Sequence, residues 1–179
     1  MRTPFVSAPT AFREQLLAAI PRLRRYARSL VFDADTADDL VQTALERALA
    51  HWHQFDQRRD ILVWVIAIAH NAYMDDRRRN ARMPTMELNE GQHEVQAAPQ
   101  ADVGLRLDLV AALRHLPVEQ REPLLLVTLE QLSYAECAEL LRVPIGTVMS
   151  RISRARTALR ALLDGSARTL PARTLRRVI

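Results

Sequence analysis

The sequence predicts an all-α protein made of two small helical domains joined by a flexible linker. Three observations carry this. Glycine is scarce at 4 residues and aromatics make up only 5% of the chain, while Ala, Leu and Arg are abundant, a composition that favours helix over sheet. Apolar residues recur at helical spacing along most of the chain, and no segment alternates between strands and helices. The 179 residues suit one large or two small domains, and one long aperiodic stretch favours two.

The elements follow in order. Residues 12–31 place Phe12, Leu16, Ile20, Leu23, Ala27 and Leu30 on one side of a helix, which Pro21 is expected to interrupt. A T-x-x-D pattern from Thr36 to Asp39 is expected to cap a second helix. Its inward stripe is Leu40, Val41, Ala44, Leu45, Ala48, Leu49 and Trp52, and Asp38, Asp39, Gln42, Thr43 and Glu46 face outward. After the polar break HQFDQRRD, a third helix is predicted from about Ile61 to Arg79. It is apolar all round at its start, which places it centrally in a bundle, and ends in Arg77-Arg78-Arg79, where cations suit a helix C-terminus. Periodicity is then lost across residues 82–102, which read as a linker. The expected boundaries are a first domain over 1–81, a linker over 82–103, a second domain over 104–165 and a frayed basic tail over 166–179. In the second block, Leu105, Leu109, Ala112 and Leu116 make one helix, ended by Pro117. Residues 118–131 make another, which Pro123 is expected to kink.

The most informative stretch is Ser133 to Arg156. Ser133 and Glu136 form an S-x-x-E capping box, so a helix starts at Tyr134. Pro144 cannot continue it but suits the opening of the next helix. That helix carries an apolar stripe of Ile145, Val148, Ile152, Ala155, Leu159 and Leu162. Gly146, Thr147, Met149, Ser150, Arg151, Ser153, Arg154 and Arg156 face away from it. Two short helices about a tight turn, the second basic and polar outward, make a helix-turn-helix suited to a DNA major groove; a helical hairpin with a solvated basic face is the plainer alternative.

Charge is uneven. All 25 basic residues are Arg, and residues 142–179 hold nine of them against one acid, Asp164. Residues 33–46 hold five acids and no basic residue. The first suggests a polyanion and the second a different, basic partner. Cys137, the only cysteine, excludes an internal disulfide and reads as a small buried hydrophobe. The five histidines (51, 53, 70, 93 and 115) lack a zinc spacing and read as ordinary surface or loop residues. With no phosphate-binding glycine loop and no nucleophile–base arrangement, no catalytic residue, metal or cofactor is expected. The longest apolar run, Ile61 to Ala69, is too short to span a bilayer. No signal peptide is visible, so a cytoplasmic protein without membrane insertion is expected.

The strings DADTADDLVQTALERAL, WVIAIAHNAYMDDRRR and LRHLPVEQREPLLLVTLEQLSYAECAELLRVPIGTVMSRISRARTAL, in this order and separation, resemble the extracytoplasmic-function (ECF) sigma factors of bacterial RNA polymerase, the smallest members of the sigma-70 family. The resemblance covers roughly residues 12–163, apart from the linker, and DDLVQ, IAHN and GTVMSR together make it specific. DADTADDLVQ and FDQRRDI are reminiscent of the general-stress-response branch.

The resemblance implies a sigma region 2-like bundle followed by a region 4-like helix-turn-helix. It implies binding to core RNA polymerase, at the clamp helices of the largest subunit and at the flap. It further implies recognition of promoter DNA and control by an anti-sigma factor. Asp38, Asp39, Leu40, Gln42 and Glu46 match the clamp contact, where carboxylates would complement a basic coiled coil; charge alone fits a solvated helix N-terminus equally well. His53, Gln54, Phe55 and Asp56 match the loop that captures a flipped minus-ten base, with Asn71 and Arg78 on the adjoining helix. Such capture needs polar edge contacts and an apolar or stacking wall. Trp64, among apolar neighbours, reads better as core. Ser133, Thr147, Met149, Ser150, Arg151, Ser153, Arg154 and Arg156 match the reader of the minus-thirty-five duplex. There Ser133 and Arg156 would hold phosphate and Met149 stands where the family usually has Arg or Lys. The implied function is an alternative sigma factor directing transcription initiation in a stress or extracytoplasmic response. A stand-alone helix-turn-helix regulator and a sigma mimic that sequesters an anti-sigma factor are the other readings.

Overall fold

Helix α1 spans Thr10–Val31 and turns Phe12, Leu16, Ala19, Leu23, Tyr26, Ala27 and Leu30 inward. The structure, a computed structural model, describes residues 8–82 and 103–169. Pro21 does not interrupt α1: it is exposed, as is Leu17, the residue whose carbonyl loses its helical donor to the proline. The helix ends at Phe32 in the left-handed conformation (φ 59°), its amide donating to the Arg28 carbonyl.

Helix α2, Ala34–Ala50, starts earlier than Thr36. Its cap is Asp33, whose carboxylate accepts from the Thr36 amide at 2.8 Å and the Thr36 hydroxyl at 2.6 Å. Thr36 therefore supports the cap and does not form it. Ala37, Leu40, Val41, Ala44 and Ala48 are buried, whereas Leu49, predicted inward, is exposed. A short 3-10 turn, Trp52–Gln54, and an open loop lead to α3, Ile61–Arg82. The loop is shaped by two aspartates: Asp56 accepts from the Arg58 amide and Asp60 from the Leu62 amide. Leu62, Val65, Ile66, Ala69 and Ala72 close the three-helix core.

Helices α4 (Val103–Arg114), α5 (Val118–Thr128), α6 (Tyr134–Leu141) and α7 (Ile145–Thr169) make the second domain. Helix α5 stays one helix through Pro123, which is buried, and ends at Thr128, short of residue 131. Leu109 is exposed, against expectation, while Ala112 is buried. Helix α7 continues past Gly165 to Thr169, so the expected tail begins within a helix; residues 170–179 lie outside the described residues, as does the linker from 83 to 102. No helix among the described residues is long and apolar enough to cross a membrane.

The two domains pack against each other, α1 on α5 and α3 on α6, and their cores join into one cluster. The rim of this contact is charged. Two domain-2 arginines take the C-terminal end of α1: Arg121 donates to the Leu30 carbonyl at 2.7 Å and Arg114 to the Phe32 carbonyl at 3.1 Å. Both guanidinium groups also lie over the Phe32 ring, at 4.7 and 5.4 Å from its centre. Cations at a helix C-terminus complement its dipole. Burial holds the Arg121 guanidinium below its ordinary pKa.

Candidate nucleic-acid interface

The minus-ten candidates converge only in part. A cavity of about 380 Å³ is lined by Arg47 from α2, His51 and Gln54 at the turn, and Trp64, Ile68 and Asn71 on α3. Two predicted residues, Gln54 and Asn71, therefore share one pocket, which has an apolar wall and polar edges. Arg47 and His51 were not foreseen; they precede the loop in sequence and carry no motif of their own. Phe55 does not face this pocket as a free ring. It packs at 5.8 Å from Phe12 and 5.2 Å from Trp64, pinning the loop to the bundle. Trp64 is half-buried and serves both the core and the pocket wall. His53 is exposed and lies edge-on to Trp52, and Asp56 is spent on the loop turn. Arg78 lies two turns beyond Asn71 and is exposed, 3.8 Å from Asp75.

His70 departs from the expectation of a surface histidine. It is buried, with Nδ1 at 2.6 Å from Glu122 Oε1. The Tyr26 hydroxyl donates to the same oxygen at 2.6 Å. Glu122 is 1% exposed. Burial first, and then the Glu122 carboxylate, push the Tyr26 phenol well above its ordinary pKa. The sequence offers no local sign of this group, because its members come from three helices.

The polymerase candidates lie along α2. Asp39, Gln42 and Glu46 are exposed, and Gln42 Nε2 donates to Glu46 at 2.9 Å. Asp38 is already engaged by Arg24 at 2.9 Å and Arg28 at 3.8 Å. Leu40 is buried in the core behind this face.

In the helix-turn-helix the capping box forms as read. Ser133 accepts from the Glu136 amide, and the Glu136 carboxylate accepts from both the amide and the hydroxyl of Ser133. These donors are thus satisfied internally, which differs from the expected phosphate-holding role. Arg142 closes α6 in the left-handed conformation (φ 54°). On α7, Val148, Ile152 and Ala155 are buried, while Ile145, predicted inward, is exposed. Gly146, Met149, Ser153, Arg154 and Arg156 are exposed, and Thr147, Ser150 and Arg151 are half-buried. The Ser150 hydroxyl donates to the Thr147 carbonyl. A Cβ at Gly146 would meet nothing within 4 Å, so internal packing does not require glycine there; its bare backbone leaves room for close approach from outside. Cys137 is buried, and burial pushes its thiol up to about 12, leaving it an inert hydrophobe at neutral pH.

The capping box allows a first test. Ser133→Ala should cost about 1 kcal/mol in urea melts at pH 7. The hydroxyl and amide of Ser133 hold the Glu136 carboxyl below its ordinary pKa. A folded pKa below the unfolded one gives stability that is present above the ordinary carboxylate range and lost as pH falls through it. The difference between wild type and variant should therefore shrink on acidification; a difference that stays constant with pH would remove the Glu136 link.

Comparison with known proteins agrees with this geometry. Residues 106–159 match the family model of sigma-70 region 4, and residues 16–70 match that of the sigma2 domain of PhyR. The chain is 38% identical over 174 residues to the ECF RNA polymerase sigma factor EcfG of Rhodopseudomonas palustris, covering 94% of this chain and 95% of that protein. It is 33% identical over 168 residues to the RNA polymerase sigma-E factor of Streptomyces coelicolor, covering 93% and 92%. Among solved structures it resembles the sigma factor RpoE of Bartonella quintana, determined in complex with the anti-sigma factor NepR. The TM-score is 0.74 at 30% identity, covering 87% of this chain and 98% of that one. With a region 2 bundle, a region 4 helix-turn-helix and full-length likeness to such proteins, the chain belongs to the ECF RNA polymerase sigma factors of the sigma-70 family.

Proposed function

We propose that this alternative sigma factor divides its promoter work between the two domains as follows. The exposed acids of α2, centred on Asp39 and Glu46, dock the first domain on the clamp helices of core RNA polymerase, and the second domain rests on the flap. The pocket of Arg47, His51, Gln54, Trp64, Ile68 and Asn71 captures a flipped base of the melted minus-ten strand. The outward face of α7, with Thr147, Met149, Ser150, Arg151, Ser153 and Arg154, reads the minus-thirty-five duplex, and Arg156 holds its backbone. An anti-sigma protein restrains the chain in the cytoplasm.

The observation that carries this reading is the pocket. It joins two residues assigned to base capture, Gln54 and Asn71, to an indole and an aliphatic wall, as an unstacked base requires. A stand-alone duplex binder has no use for such a pocket. Promoter geometry adds a condition. Two elements some 25 base pairs apart are separated by roughly 85 Å of duplex at 3.4 Å per pair. Domains in direct contact cannot read both, so the chain must open on polymerase. The segment 83–102 can span at most about 70 Å, enough, with the width of the domains, to bridge them.

Run-off transcription with core polymerase is the test. The purified chain is expected to convert core enzyme to promoter-specific initiation on DNA from its own genome. A chain that binds such DNA alone but never redirects core polymerase would be a stand-alone regulator. One that only captures an anti-sigma protein would be a mimic.

A further inference from the structure

Ile145 and Met149 are large apolar side chains left in water. They are 45% and 49% exposed, on a helix whose inner stripe of Val148, Ile152 and Ala155 is buried. Four residues apart on α7, they are neighbours across one turn. The same spacing arranges the rest of the outward face. Gly146, Ser150 and Ser153 form the next row, and Thr147, Arg151 and Arg154 the one beyond it. The rows divide the chemistry into an apolar edge, a middle of small residues and a donor-bearing edge. Glycine is a poor helix former, and a Cβ at Gly146 would meet nothing within 4 Å, so the room beside the apolar pair opens outward. Arg142, Arg154, Arg156 and Arg160 around this face are exposed and form no ion pair among the described residues. A polyanion suits these arginines, and one that also presents apolar groups suits the whole face.

We propose that Ile145 and Met149 are specificity-determining residues that read thymine methyl groups on neighbouring base pairs of the minus-thirty-five duplex. The inference rests on the reading of α7 as the helix that enters that duplex. In the major groove the thymine C5 methyl is the one alkyl group that a base edge presents. The N-terminal residues of a recognition helix are those that reach base edges, and Ile145 opens α7. The pair spans about 6 Å along the axis at 1.5 Å per residue, enough to cover methyls on base pairs about 3.4 Å apart. An arginine in place of Met149 would seek phosphate or guanine. A thioether carries no charge and no donor, and its flexible chain adapts to an apolar surface. Thr147, Arg151 and Arg154 keep the hydrogen-bonding work on the opposite edge, so polar and apolar readout fall to different rows of one helix.

The full chain is assembled with core RNA polymerase, and a duplex that this holoenzyme holds is selected from a randomised pool. The duplex is then remade with deoxyuridine in place of each thymine of its upstream element in turn, which removes a methyl and keeps every hydrogen-bonding group. Affinity is measured for holoenzyme made with wild type, with Ile145→Ala combined with Met149→Ala, and with Arg154→Ala. Both apolar side chains are exposed and alanine favours helix, so the double variant keeps its fold. In wild type, loss of the methyl at each of two neighbouring base pairs should weaken binding about three- to fivefold. In the double variant the same replacements should make no difference, because the methyls have lost their partners. No loss in wild type, or equal losses in wild type and variant, would overturn the methyl reading. Weaker binding of the double variant to core polymerase, with its deoxyuridine losses unchanged, would overturn it too and place the pair against polymerase. Arg154→Ala checks the underlying reading separately. If it and the double variant both leave duplex affinity unchanged, α7 is not the duplex reader. If Arg154→Ala weakens binding while deoxyuridine has no effect, α7 remains the reader and only the methyl contact falls.

Discussion

Asp39→Arg combined with Glu46→Arg should weaken binding to core RNA polymerase about 30-fold or more, a loss of at least about 2 kcal/mol. The expectation comes from what these acids do not do within the chain. Asp35 is the acid in the first turn of α2, where the helix dipole gives a carboxylate a local reason to be present. Asp39 and Glu46 lie beyond that turn, and the dipole effect has faded there. Both are exposed, and neither fills the core. Asp38 differs: Arg24 and Arg28 hold it, so reversing it would disturb the α1–α2 contact as well as any partner. The double reversal should leave the far-ultraviolet circular dichroism unchanged, apart from the small cost of the lost Gln42–Glu46 hydrogen bond. The affinity should be measured across a salt titration, because a contact between charged faces weakens as salt rises. If wild type and variant bind core polymerase equally at every salt concentration, the acids are only a solvated face.

Much of the fold was legible because its signals are local. Ser133, Glu136 and Pro144 define the helix-turn-helix within a dozen residues, and the capping box forms as read. Periodicity gave the helix faces but not which of their positions are covered: Leu49 and Ile145, at the ends of α2 and α7, and Leu109, in the middle of α4, continue their stripes and remain exposed. The cap of α2 was misplaced for a related reason. Thr36 and Asp39 fit a capping pattern, but so does Asp33 with Thr36, and only geometry chooses between them. The domain contact was not legible at all. Glu122 and His70 are 52 positions apart, and Arg22 and Glu130 are 108. An acid in the apolar run around Leu124 looks like an ordinary surface residue until the other domain covers it. The pocket was half legible. Asn71 and Gln54 stood in recognisable strings, whereas Arg47 and His51 join them only through the bend between α2 and α3.

Asn71→Ala should cost about 1–3 kcal/mol in binding of single-stranded DNA, roughly 5- to 150-fold, and the loss should depend on the base. The Asn71 side chain is half-buried beside Trp64 and Ile68 and makes no hydrogen bond to another described residue. Its amide offers one acceptor and two donors to whatever enters the pocket. An amide can meet adenine with a matched donor and acceptor pair, so adenine should lose most and a base without that pattern least. The effect is not confused with unfolding, since alanine is a better helix former than asparagine and the change sits on a helix. Four oligonucleotides that differ at one position, each titrated against wild type and variant, separate the possibilities. Equal losses for all four bases would mean that Asn71 holds the strand backbone or the local structure. A loss concentrated on one base would show that the amide reads the base edge, with Trp64 and Ile68 supplying the wall against which the base lies.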